Sequence, residues 1–274
     1  MFLAGMLDAV FTRLDFLIIG KLFPPATLGY YQRAKSLNGM VVEYSSGSLM
    51  AVLFPVLSKV QNDLARFQNI IIKSLSIICF VVFLLLGVLY LVSEELIVLL
   101  FSDKWLPSVD VFKVLVLSGF SLPISALLTN VLASRGNSKA FLRLEIYKKT
   151  IASINFVVLY FFGINAFLYG LVVQAVLGVS LNILFASREI NLPFSQFAKP
   201  IFVQMSTTVI AVILTLSITQ DIEFIDIIMI MIKGGAFTLL YFFLNFIIKT
   251  SSFEYFLEQV MLIVRNKFEN KVKD

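Results

Sequence analysis

Asp15-Phe-Leu-Ile-Ile-Gly-Lys-Leu-Phe-Pro-Pro-Ala-Thr-Leu-Gly-Tyr-Tyr-Gln-Arg-Ala-Lys35 is the stretch near the start of the chain where acids, bases, Gly and Pro crowd between two long apolar segments. Pro24-Pro25 and Gly29 are expected to turn the chain there. The segment before the turn carries Asp8, Arg13 and Asp15, and the one after it carries Glu43. A charge inside a membrane segment costs several kcal/mol, roughly, so such residues are expected to face a bundle interior or a wet cavity. A polar pathway through an apolar protein is the first expectation.

Composition supports that setting. Of 274 residues, 59% are hydrophobic and only 14% charged, and the mean hydropathy is +0.94. These values lie far from those of a soluble globular domain and predict an integral membrane protein whose unit is a helix of about 20 apolar residues. The net charge of +5 comes from bases scattered in short connections, which reads as membrane topology and not as nucleic-acid binding. The single cysteine, Cys79, permits no disulfide within the chain, and the absence of His removes the commonest general base and metal ligand. No cofactor and no metal are expected. The first segment lacks a basic leader and is not read as a cleavable signal peptide, so the chain begins as if in mid-protein.

Eight segments follow in order, at about Phe2 to Leu22, Ser36 to Leu57, Ile70 to Val92, Val109 to Ser134, Leu144 to Phe162, Phe167 to Ala186, Pro200 to Thr219 and Phe224 to Ile248. The first presents Gly5, Asp8, Thr12 and Asp15 near one helical face. The third is the cleanest span and is expected to serve packing. Pro123 is expected to kink the fourth, which also carries Ser121, Ser125, Thr129 and Asn130. The fifth and sixth form a tight pair across Gly163-Ile164-Asn165, and the eighth carries Asp226 and Lys233 two turns apart. From Ser251 onward apolar residues recur at helical spacing, and Ser251 with Glu254 fits a capping box; this tail is expected to lie on the membrane surface. Trp105 is expected to anchor at the interface. Most Lys and Arg fall after the second, fourth and sixth segments and in the tail, which predicts cytoplasmic termini.

Several runs resemble a known family. Asp15-Phe-Leu-Ile-Ile-Gly20 with Leu28-Gly-Tyr-Tyr-Gln-Arg-Ala34, Leu53-Phe-Pro-Val-Leu-Ser58 with Gln61-Asn-Asp63, Leu100-Phe-Ser-Asp-Lys-Trp-Leu-Pro107 and Leu132-Ala-Ser-Arg-Gly-Asn-Ser-Lys139 occur in an order and spacing similar to the second half of polysaccharide and O-antigen flippases. These are the Wzx-like polysaccharide biosynthesis proteins of the multidrug/oligosaccharidyl-lipid/polysaccharide exporter superfamily. The resemblance covers about residues 1 to 190.

That resemblance implies a non-enzymatic transporter of polyprenyl-diphosphate-linked oligosaccharides, for O-antigen, capsule or exopolysaccharide, in the bacterial inner membrane. It implies an all-α architecture in which residues 1–188 form the second six-helix lobe, 189–249 two additional helices and 250–274 a cytoplasmic amphipathic tail. A first lobe or a second copy, polysaccharide assembly proteins and membrane lipids are the implied partners. Arg13 and Arg33 are candidates for the head-group phosphate, and Glu43 and Asn130 for further substrate contacts. Asp8, Asp15, Lys35, Asp226 and Lys233 are candidate charge partners or ion-coupling groups. The bland alternatives stay open: Arg13 and Asp15 close a helix end, Arg33 and Lys35 snorkel to the interface, and Asn130 and Gln174 hydrogen-bond between helices. A multidrug exporter and a non-transporting remnant also remain open. A membrane enzyme is disfavoured by the lack of His and of long loops.

Overall fold

The computed structural model describes residues 2–39, 60, 63–222 and 224–271. It is a bundle of helices: α1 (Phe2–Leu22), α2 (residues 25–39), α3 (Leu64–Leu91), α4 (Ser93–Phe101), a 3-10 turn (Asp103–Trp105), α5 (Ser108–Ser118), α6 (Ser121–Ser134), α7 (Ser138–Ile190), α8 (Phe194–Thr219), α9 (Asp226–Ile248) and α10 (Ser251–Lys271). The candidate Glu43 and most of the expected second segment lie outside the described residues. So does the Leu53–Ser58 motif.

Pro24-Pro25 turns the chain as expected, but only between neighbouring helices. Pro25 opens α2, where its missing N–H costs nothing, and the Pro24 carbonyl accepts from Thr27 N at 3.0 Å. Gly29 and the residues up to Lys35, expected to form a link, are therefore helical. A Cβ on Gly20 would meet Leu28 at 3.1 Å, so α1 and α2 pack closely beside the turn.

α3 is the central column. Asp63 caps it by accepting from Arg66 N at 3.1 Å, and Phe67, Ile71, Leu75, Cys79 and Phe80 are fully buried along it. It packs against α5, α6, α8, α9 and α10, which agrees with the expected packing role. At Gly87 α9 comes so near that an added Cβ would stand 2.1 Å from the Phe237 ring.

Among the described residues five helical stretches are long and apolar enough to cross a membrane: Leu64–Leu91, Ser108–Ser134, Ser138–Ile190, Phe194–Thr219 and Asp226–Ile248. The chain is thus an all-α, multi-pass membrane protein, with five qualifying stretches where eight segments were expected. The longest of them, 53 residues, doubles back. Gly163 adopts φ 81° and ψ −176°, a conformation open essentially to glycine, and the two arms of α7 then run side by side. Asn155 Nδ2 donates to the Phe167 carbonyl at 3.2 Å, and the Tyr147 and Phe185 rings meet at 6.1 Å. This is the tight pair expected across Gly163.

Three boundaries differ from expectation. The fourth segment breaks at Gly119-Phe120, ahead of Pro123, so the proline sits in the first turn of α6 where it removes no helical bond. α8 starts at Phe194, which places Pro200 inside the helix, buried. The cap of α10 is Thr250, whose Oγ1 accepts from Phe253 N at 3.3 Å, and not Ser251. The opening turns of α10 pack on α3 and α8, with Phe253 and Phe256 against Phe80 and Lys73 paired to Glu258 at 3.3 Å.

Connections gather at two ends. Gln68 donates to the Ile190 carbonyl at 2.6 Å and Asn137 to Glu189 at 2.7 Å, joining the start of α3 to the α6–α7 and α7–α8 links. At the other end Tyr30 of α2 meets Trp105 of the α4–α5 link, ring centroids 6.0 Å apart.

Candidate functional site

A half-open cavity of about 380 Å³ lies between α1, α2, α5, α6 and both arms of α7. Helical spacing supplies each wall. α2 contributes Tyr31, Lys35 and Asn38, which recur four and three residues apart; the first arm of α7 contributes Glu145, Lys148, Lys149, Ala152 and Phe156 from one stripe. The second arm adds Phe167, Leu171, Gln174 and Gly178, and α5–α6 add Ser118, Ser121 and Ser125.

Charge is organised in pairs. Asp15, buried, accepts from Tyr31 Oη at 2.6 Å, from its neighbour Phe16 N at 2.9 Å and from Lys35 Nζ. Lys35 also stands 4.5 Å from the Phe16 ring centroid. Glu145, buried, pairs with Lys148 one turn on. Lys149 lies 5.5 Å from the Phe11 ring. Among the described residues the walls carry three lysines, Lys35, Lys148 and Lys149, and two carboxylates, Asp15 and Glu145. Asn38 Oδ1 is buried without a hydrogen bond, an acceptor that a donor entering the cavity would satisfy. Behind the wall Asn182 donates to Ser125 Oγ at 2.7 Å, and Thr129 Oγ1 donates to Asn182 Oδ1 at 3.3 Å, which fixes α6 against α7.

The expected site residues divide. Asp15, Lys35 and Gln174 line the cavity. Arg13 is exposed on α1, outside it. Arg33 is also exposed and outside, its guanidinium over the rings of Phe101 and Trp105 at 4.6 and 4.7 Å. Asn130 donates to the Ala126 carbonyl of its own helix at 2.9 Å, away from the cavity. Asp8 belongs to α1 and Asp226 opens α9. Lys233, for which the sequence leaves open lining a groove or pairing with Asp226 two turns away, pairs with Glu95 of α4 and lines a second cavity between α8 and α9.

Sequence reasoning missed Glu145, Lys148, Lys149, Asn38 and Glu95. Lys148 and Lys149 follow the most basic connection of the sequence, whose bases read as topology signals, and Glu145 lies between them and that connection. The signal was their spacing: Glu145, Lys148 and Lys149 share a stripe with Ala152 and Phe156, which continues as the buried face of the span. Among the described residues no three His, Cys, Asp or Glu side chains gather to hold a metal ion.

Residues 1–110 match the family model of the polysaccharide biosynthesis proteins. No curated protein matches the chain. The solved structure "Lipid II flippase MurJ, inward closed conformation" is similar, with a TM-score of 0.68 and 16% identity over 91% of this chain and 53% of that one. The chain thus spans about half the length of that protein. Its fold is that of a large part of a MurJ-like membrane flippase, with a polysaccharide-biosynthesis signature over its first 110 residues.

Proposed function

We propose that this chain works as the second lobe, with its two attached helices, of a flippase that carries polyprenyl-diphosphate-linked oligosaccharides across the bacterial inner membrane. Eight crossings are proposed, one for each apolar segment read from the sequence, with both termini cytoplasmic. A first lobe, or a second copy, faces the open side of the cavity, and transport is the rocking of one against the other.

The observation that carries this reading is that three lysines line one cavity beside an amide and hydroxyl wall. Lys35, Lys148 and Lys149 offset the diphosphate charge, Asn38, Gln174 and the serines replace the hydration of sugar hydroxyls, and the apolar helix faces leave the lipid tail in the bilayer. No bond is made or broken, so no catalytic group is required.

The test replaces Lys148 and Lys149 with Ala at the native locus and measures surface polysaccharide by gel and lectin binding. Each lost charge-assisted contact is expected to weaken head-group binding about tenfold, so polysaccharide falls while the membrane level of the protein is unchanged. Normal polysaccharide from the double variant overturns the assignment and leaves the remnant reading in its place.

A further inference from the structure

We propose that Arg33, held by Phe101 and Trp105, is a seat for lipid-borne phosphate at the membrane face, separate from the lysine-lined cavity and independent of the transport reading. Its guanidinium carbon stands 4.6 Å from the Phe101 centroid and 4.7 Å from that of Trp105, in the cleft of two rings inclined 61° and 6.4 Å apart. Tyr30, one turn earlier on α2, meets Trp105 edge-on at 6.0 Å and braces it. The two rings flank the guanidinium on two sides, and because Arg33 is exposed its remaining N–H donors are open to a phosphate.

Among the described residues no carboxylate pairs with Arg33, although Asp103 is exposed in the same 3-10 turn as Trp105. Elsewhere in the protein a buried lysine has its acid: Lys233 has Glu95. Arg33 is instead exposed, held against two rings and, among the described residues, without an acid, an arrangement that prepares a cation for an external anion.

Its place in the fold fixes the kind of anion. The turn Asp103–Trp105 lies in the link between α3 and the span Ser108–Ser134, so it sits at one face of the membrane, where phosphate is the dominant anionic group and where Trp residues concentrate. The ligand is a lipid phosphate, borne by a phospholipid or by a polyprenyl diphosphate.

Trp105 is the one tryptophan of the chain, so its emission reports this seat without a label. Purified full chain in dodecyl maltoside would be titrated with phosphatidylglycerol, with undecaprenyl diphosphate, with inorganic diphosphate and with uncharged diacylglycerol. The expected result is a saturable emission change with a phosphate-bearing lipid and none with diacylglycerol. Arg33→Gln weakens it about tenfold, the worth of a charge-assisted contact, and Arg33→Lys, which keeps charge without the planar fork, falls between. Saturation by phosphatidylglycerol at the same level as by the polyprenyl lipid identifies a membrane phospholipid; a clear preference for the diphosphate identifies the lipid-linked class. An Arg33→Gln curve equal to the unaltered protein, an equal response to diacylglycerol, or a response to inorganic diphosphate alone overturns the proposal. Replacing Lys148 and Lys149 leaves this curve in place even where it abolishes export, so the two readings fail separately.

Discussion

Glu95 and Lys233 show what a single residue can decide in an apolar bundle. Both side chains are largely buried, at 10% and 18% exposure, and Glu95 Oε2, the oxygen that does not face Lys233, is buried without a hydrogen bond. Removing one member leaves the other charge stranded, which costs about 3 to 5 kcal/mol, whereas removing both is far cheaper. Lys233→Met is therefore expected to lower the unfolding temperature in detergent strongly, and Glu95→Gln combined with Lys233→Met to recover most of the loss. A double variant no more stable than Lys233→Met would show that the pair holds nothing. In the sequence Lys233 has Asp226 nearby on its own helix; the true partner lies 138 residues away.

At the scale of the element, two glycines set how helices meet. Gly163 turns α7 back on itself at φ 81°, and Gly163→Ala is expected to cost about 1 to 3 kcal/mol by forcing a side chain into that region. Gly87 lets the Phe237 ring lie on α3; Gly87→Ala is expected to cost about 1 to 3 kcal/mol through overpacking and to push α9 outward. Thermal unfolding measures both. A Phe237→Ala change on the Gly87→Ala background relieves the clash and identifies its source, because the two sites then fail to add. The helix pair across Gly163 was legible because glycine between two apolar runs is a turn signal. The α2 start was not, since Pro24-Pro25 reads equally as a loop or as a helix opening.

Across the whole molecule, α8, α9 and α10 are tied to α3 by a buried polar network. Gln204 Nε2 donates to Asn245 Oδ1 at 2.9 Å, Thr250 Oγ1 to the same oxygen at 2.6 Å, and Tyr241 Oη lies 2.6 Å from Gln204 Oε1 and 2.9 Å from the Phe80 carbonyl. Gln204→Leu leaves Tyr241 and Asn245 short of partners and is expected to cost about 1 to 3 kcal/mol. Because the same network holds the cap of α10, proteolysis should then release the tail well before the bundle unfolds. Equal release from the unaltered protein would mean that the network does not hold it.

The sequence by itself determined the membrane setting, the α-helical class, the Gly163 hairpin and the resemblance to flippases, since each follows from local hydropathy, spacing or short motifs. Only the tertiary structure decided which charges share the cavity. Asp15 with Lys35 links neighbouring helices, while Glu145, Lys148 and Lys149 come from the first arm of α7, more than a hundred residues later. Arg33, read from its type as a phosphate ligand inside the pathway, is drawn instead to Phe101 and Trp105 at one end of the bundle. Helical periodicity fixes the face a side chain shares with its neighbours in sequence; which helix that face meets is set by packing over the whole chain.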